Sequence, residues 1–188
     1  MVGTVRVLAF LTLACLAAVP RGASSQTVER TIDAGASKAS FGLQHIFVER
    51  VTGTLPIIGG TLTLASGSAV PTSITALLDA SKIETPERDQ TACIRSADYF
   101  DVKRFPDVKF SSTKIVLSGP DRFEVDGMLT MHGVAQPEHL DVTVEGEEVH
   151  PRYHAVGRID RHAFGMKGMR LDPVIGSMVD VTLDIALK

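Results

Sequence analysis

Six histidines, the cysteine at position 93 and a few Arg–Asp pairs carry whatever chemistry this 188-residue chain holds beyond packing. His150 and His154 are the closest histidine pair, but Pro151 and Tyr153 set them in a turn leading into a strand. No helix aligns the two rings, and neither a CxxC nor an HExxH pattern occurs. The histidines are therefore read as surface and hairpin residues, and no metal site is expected. His45 stands apart, because it shares strand parity with Phe41 and Leu43 and so points inward. There it is either a satisfied structural histidine or a polar contact for a bound molecule. Cys93 lies two residues from Arg95, and a nearby cation lowers a thiol pKa. A lone thiol without a histidine and amide partner is a poor nucleophile, and the chain has no asparagine, so no catalytic residue is assigned. Thioester, redox or intermolecular pairing chemistry fits it better. Arg88, Asp89, Asp98, Asp101 and Arg161 form either an ion-pair network fixing a long loop or a polar rim. Arginine suits the second role because its planar fork matches phosphate and carbonyl oxygens.

The first 25 residues read as a secretory leader rather than as part of the fold. Arg6 precedes an uncharged, mostly apolar run, Val7–Val19, and small residues follow at Ala23, Ser24 and Ser25. The run is shorter than the roughly 20 residues a spanning helix needs, and it ends at Pro20-Arg21. Cleavage is expected after Ser25, with a periplasmic or secreted destination. A lipoprotein reading of Cys15 is weakened by Thr12, which stands where a large aliphatic residue belongs. Loss of Arg6 and Arg21 moves the net charge from −3 to −5, with 17 basic against 22 acidic residues in the remaining 163. That length suits one domain with a sizeable core. The acidic balance argues against nucleic acid, which needs clustered Lys and Arg to displace counterions. With Cys93 alone after processing, no internal disulfide is expected.

Period-two alternation dominates the rest of the chain. Phe123, Val125, Gly127, Leu129 and Met131 share one parity, and Leu140, Val142 and Val144 share another. Val179, Val181, Leu183, Ile185 and Leu187 do the same, and Ile74, Ala76 and Leu78 follow less cleanly. Further strands are read near Ala39–His45, Val51–Leu55, Gly60–Ala65, Val108–Leu117 and Tyr153–Arg161. Turn residues separate them at Pro56, Gly59-Gly60, Gly67, Pro71, Gly119-Pro120, Gly133, Pro137 and Gly146. Eight to ten short strands with one apolar face predict an all-β antiparallel sandwich or barrel. Thr85–Arg104 is too long and too charged for a hairpin loop, and short helical turns crossing the barrel are expected there. In this loop Tyr99, Phe100 and Phe105 serve as anchors to the barrel end or as a lid.

Several segments, taken in order, resemble the YceI-like family. They are Ile32-Asp33, Phe41–His45, Val51–Gly53, Ser81–Thr85 with Arg88-Asp89, and Arg95–Asp101. Phe105–Phe110, Gly127–Val134, Arg161–Met166 and Val179–Leu187 complete the series. Two departures matter: the family's Arg-Asp-x-His-Leu-x-Ser segment carries two inserted residues here with Cys93 in the histidine's place, and Met166–Met169 is followed by an idiosyncratic Arg170–Pro173. The resemblance implies a lipocalin-like antiparallel barrel of about eight strands. It also implies a bound polyisoprenoid, quinone-like or fatty lipid, no separate cofactor, and a homodimer as a state that suits the family.

On this reading the lumen is lined by Phe41, Leu43 and His45, by Ile74, Ala76 and Leu78, and by Phe110. Phe123, Val125, Gly127, Leu129 and Met131 join them, with Phe164, Met166, Val181 and Leu183. Ala76 and Gly127 are expected to leave room for a ligand, and methionines to adapt to an irregular apolar chain. Arg88, Asp89 and Arg161 would form the head-group rim. Eight strands enclose either a side-chain-filled core or one small ligand. The functions that follow are an exported, non-catalytic lipid carrier or store, an enzyme acting on that lipid, or an interaction module with a filled barrel. Lipid recovered from the protein separates the first from the last, and turnover of that lipid marks the second. An integral membrane protein is not expected.

Overall fold

A computed structural model describes residues 26–45, 50–146, 150–167 and 175–188, with the side chains of Gln44 and His45 left out. The proposed leader lies outside the described residues. The strands are β1 (Thr27–Thr31), β2 (Lys38–His45), β3 (Val51–Thr54), β4 (Ile57–Ala65) and β5 (Pro71–Asp79). After them come β6 (Asp107–Gly119), β7 (Arg122–Met131), β8 (Val134–Glu145), β9 (Arg152–Asp160) and β10 (Ile175–Ala186). A helix, α1 (Arg88–Arg95), lies in the long loop where helical turns were expected.

All ten strands form one antiparallel sheet in the order β1-β4-β5-β6-β7-β8-β9-β10-β2-β3. The sheet curls into a barrel-like shell, with two strands more than the expected eight. Among the described residues no continuous ladder joins its two edges. Ile32 instead bridges Leu187, Asp33 N–H donates to the Ala186 carbonyl, and Lys188 N–H to that of Thr31. On the far edge, Thr54 of β3 bridges Glu84, so the loop before α1 covers that strand's open side.

The alternation in β7 is realised as read: Phe123, Val125, Gly127, Leu129 and Met131 are buried while Met128 faces out. The β7–β8 connection is a two-residue turn in which His132 (φ 52°) and Gly133 (φ 74°) are both left-handed, the type I′ geometry that matches strand twist. Glycine takes that conformation freely, whereas histidine needs support. The His132 ring supplies it, with Nδ1 2.8 Å from the Phe164 carbonyl and the ring T-shaped to that of Phe105, centroids 5.3 Å apart.

Three turn assignments need correction. Gly59 and Gly60 lie inside β4, where a bulge shifts the register between Ile57 and Gly59. Pro71 opens β5, a position that tolerates a missing N–H. Pro137 sits within β8, in the portion for which β9 supplies no pairing, so only one neighbouring strand is affected. β1 was not anticipated. Its sequence, Thr-Val-Glu-Arg-Thr, is an exposed edge with no apolar face to give it away.

Candidate functional site

The shell encloses a cavity of about 470 Å3, a size within the usual range of ligand pockets. Its wall is apolar and comes from nearly every strand. Phe41, Leu43, Ile74, Ala76, Leu78, Phe110, Val125, Leu129, Met131, Met166, Val181 and Leu183 all line it, as expected from parity. Several lining residues were not assigned to the lumen in advance: Ile32, Leu62, Val108, Ala155 and Ile159, and also Leu140, Val142 and Ile185, whose apolar alternation was read. Most of them share the parity that marked their neighbours, so the signal was present along the same strands.

One end of the cavity is plugged by aromatic packing. Phe123 and Tyr153 meet edge to face with ring centroids 6.1 Å apart, and the Tyr153 hydroxyl donates to the Ala69 carbonyl at 2.9 Å. Burial pushes the Tyr153 phenol up to about 12, so it remains a neutral donor. Phe123, expected in the lumen, therefore belongs to the stopper and does not line the cavity.

The other end is covered by α1 and the loop that follows it. Asp89, Gln90, Cys93 and Ile94 of α1 border the cavity, as do Tyr99 and Phe100. The covering loop is tied down at several points. Arg95 donates twice to the Ile83 carbonyl, the Thr85 and Thr91 hydroxyls meet at 2.8 Å, and Arg104 pairs with Asp101 at 3.4 Å. Phe105 packs outside the cavity, under Arg104 and beside His132. Tyr99 and Phe100 thus contribute to a cover while Phe105 anchors it.

Four further expectations are corrected by this geometry. Gly127 does not open the lumen: a Cβ there would come within 2.3 Å of the Phe110 ring, so the glycine makes room for Phe110 instead. Gly127→Ala should destabilise the protein by about 1–3 kcal/mol through overpacking, measured by chemical denaturation. Phe164 lies in a 3-10 turn, Arg161–Phe164, that breaks strand parity after β9, and its ring is fully buried away from the cavity. Arg161 is no exposed rim. It is 4% exposed and donates to the carbonyls of Gly176, Met166 and Ile175, with its guanidinium 6.0 Å from the Tyr99 ring centre. Arg88 is exposed and does not border the cavity, whereas its neighbour Asp89 does. The side chain of His45 lies outside the described residues.

Cys93 is not the activated thiol that its neighbour suggested. Arg95 is engaged with Ile83, and burial together with the Asp98 carboxylate pushes the Cys93 thiol up. Alkylation of Cys93 at neutral pH should be slower than that of a free thiol and should quicken only above the ordinary thiol range. Fast labelling at neutral pH would contradict this. Among the described residues no group of three or more His, Cys, Asp or Glu is placed to hold a metal ion, and no helix is long and apolar enough to cross a membrane.

An antiparallel, barrel-like sheet curled around one apolar cavity, with a helix-bearing loop over its end, is the class of protein defined so far. Residues 31–187 match the model of the YceI-like domain, and the chain belongs to that family. A UPF0312 protein of Pseudomonas putida strain F1 is 28% identical over 167 residues, covering 85% of this chain and 87% of that protein. Among solved structures, BcnA of Burkholderia cenocepacia superimposes with a TM-score of 0.73 at 20% identity, over 84% of this chain and 99% of BcnA. A polyisoprenoid binding domain from Saccharophagus degradans, implicated in plant cell wall breakdown, has a TM-score of 0.65 at 15% identity. It is matched over 97% of its length and 85% of this chain.

Proposed function

We propose that this protein is exported and holds one long-chain amphiphile, of polyisoprenoid, quinone-like or fatty type, in its barrel lumen for carriage or storage. The cavity carries the reading: about 470 Å3 of space walled by aliphatic, methionine and aromatic side chains. Empty apolar space of this size forfeits the dispersion contacts that a filled core would make. A lipid tail restores them and leaves water at roughly 0.8 kcal/mol per methylene, before the costs of association are subtracted. Affinity then comes from shape and apolar area, with no reacting group needed. The Saccharophagus domain, described as polyisoprenoid binding, supports the same ligand class for this chain.

A ligand that binds only the folded state stabilises it by mass action. Delipidated protein should therefore show a saturable rise in Tm as a long-chain isoprenoid or fatty lipid is added, and should retain that lipid through gel filtration. An unchanged Tm with no retained lipid would favour a self-filled barrel. Export is supported by Arg6, the Val7–Val19 run and the small residues Ala23–Ser25. Amino-terminal sequencing of periplasmic or secreted material should begin near Gln26, and folded cytosolic protein beginning at Met1 would contradict export.

A further inference from the structure

A lipid tail entering the lumen has to displace one of its two ends, and the ends are built differently. At the closed end Phe123 and Tyr153 are 1% and 3% exposed, and the Tyr153 hydroxyl is bonded to the Ala69 carbonyl. Uncovering them takes two large apolar side chains out of the core. At the other end no residue of α1 is buried, although Asp89, Gln90, Cys93 and Ile94 border the cavity. The bonds of this helix run to its own loop. Arg95 reaches the Ile83 carbonyl through Nε at 2.9 Å and Nη2 at 2.6 Å, and Thr91 meets Thr85 at 2.8 Å. The Ile94 and Arg95 carbonyls accept from Phe100 and Val102. Among the described residues no hydrogen bond or ion pair joins α1 to a strand. The flanks of the helix, by contrast, are fixed to the barrel. Ile83 is fully buried, and Glu84 exchanges two backbone bonds with Thr54 of β3. Beyond the helix, Tyr99 is buried near the Arg161 guanidinium and Phe105 packs against His132. The Arg95–Ile83 contact thus closes the neck of an arm that lies over the cavity on a fixed base.

We propose, on the reading that the lumen is the binding site, that α1 is the gate through which ligand exchanges and that Arg95 is its latch. The arm Thr85–Ile94 swings away from the cavity when the Arg95 guanidinium leaves the Ile83 carbonyl, while the flanking segments stay in place. Segments with few buried contacts open before the sheet does, and such opening limits the exchange of a ligand closed in behind them. A latch sets how fast a tail enters and leaves. The apolar wall, unchanged by it, still sets how tightly the tail is held, so uptake and release move together.

Dansyl-undecanoic acid, a fluorescent fatty acid that brightens in apolar surroundings, serves as the probe, with uptake and release followed by stopped flow on delipidated protein. Arg95→Ala should quicken both rates by about fivefold or more and leave Kd within about twofold of wild type, because the open arm is populated more often. Lys82→Ala, which removes an exposed pair with Asp79 just before the neck, should change neither rate. Thermal unfolding checks that each variant is folded, and Thr91→Val loosens the same arm at its contact with Thr85 if Arg95→Ala is not. Hydrogen exchange gives a reading without lipid: amides of α1 should exchange well before those of β7. Folded Arg95→Ala with wild-type rates, or exchange that quickens in Phe123→Leu instead, overturns the gate and leaves the lumen reading standing. Folded wild type that takes up no probe overturns both.

Discussion

Ala76→Phe should leave a folded protein that no longer carries lipid. Ala76 lies on β5 between Ile74 and Leu78, lines the cavity, and pairs across the ladder with Phe110 on one side and Gly60 on the other. A phenyl ring at this position projects into the cavity rather than into packed side chains. In a well-filled core the same substitution costs about 1–3 kcal/mol in strain and displaced neighbours. Here the ring occupies space that a lipid tail would otherwise fill, so Tm should change little while extracted lipid falls to near zero. Both readings are taken on one preparation, since each alone is ambiguous. A variant with normal stability and a full complement of lipid would place the ligand outside the cavity.

Removing the buried guanidinium should have the opposite signature. Arg161 donates to the carbonyls of Gly176 at 3.0 Å, Ile175 at 2.9 Å and Met166, and so joins the turn after β9 to the start of β10. Arg161→Ala leaves these acceptors without their donor and removes the contact with Tyr99 under the covering loop. Each unmet acceptor costs on the order of 1–3 kcal/mol when buried, and the three share one site, so a total of about 3 kcal/mol is expected. Arg161→Lys should recover only part of it, because one ammonium cannot reproduce the fork. Denaturant unfolding measures both variants. A stability change under about 0.5 kcal/mol, with an altered set of bound lipids, would return Arg161 to the head-group role suggested by its sequence motif.

Much of the lumen was legible because it follows from a period of two. Once Leu129 and Met131 are placed inward, Val125 must be too, and the same logic holds for Val181 and Leu183. Parity says which face a residue takes but not how deep along the barrel it lies. Phe123 and Val125 share a face, yet one closes the end and the other lines the cavity. Parity also cannot see what sits opposite. Gly127 reads as free space until Phe110 of β6 is found against it. Glu138 carries the same parity as Leu140 and also borders the cavity, although no apolar side chain marks it. Charged motif residues were the least legible of all. Arg88, Asp89 and Arg161 looked like one rim, but one is exposed, one borders the cavity from α1, and one is buried among backbone carbonyls. Hydrogen-bond partners decide such roles, and they come from segments distant in sequence.

The departure from the family pattern around Cys93 acquires a position if not a chemistry. The two inserted residues fall within or beside α1, the helix that brings Asp89, Gln90, Cys93 and Ile94 to the cavity. A sequence change in the cover of a binding cavity alters what the ligand's exposed end meets, while the apolar wall is left as it was.

Mass spectrometry of an organic extract, from mature protein purified without detergent, tests the central claim most directly. The lumen reading predicts a long-chain amphiphile recovered in near-stoichiometric amount and lost on denaturation. Protein that yields no lipid when isolated from its native compartment, and takes up none when long-chain lipids are supplied, would contradict it.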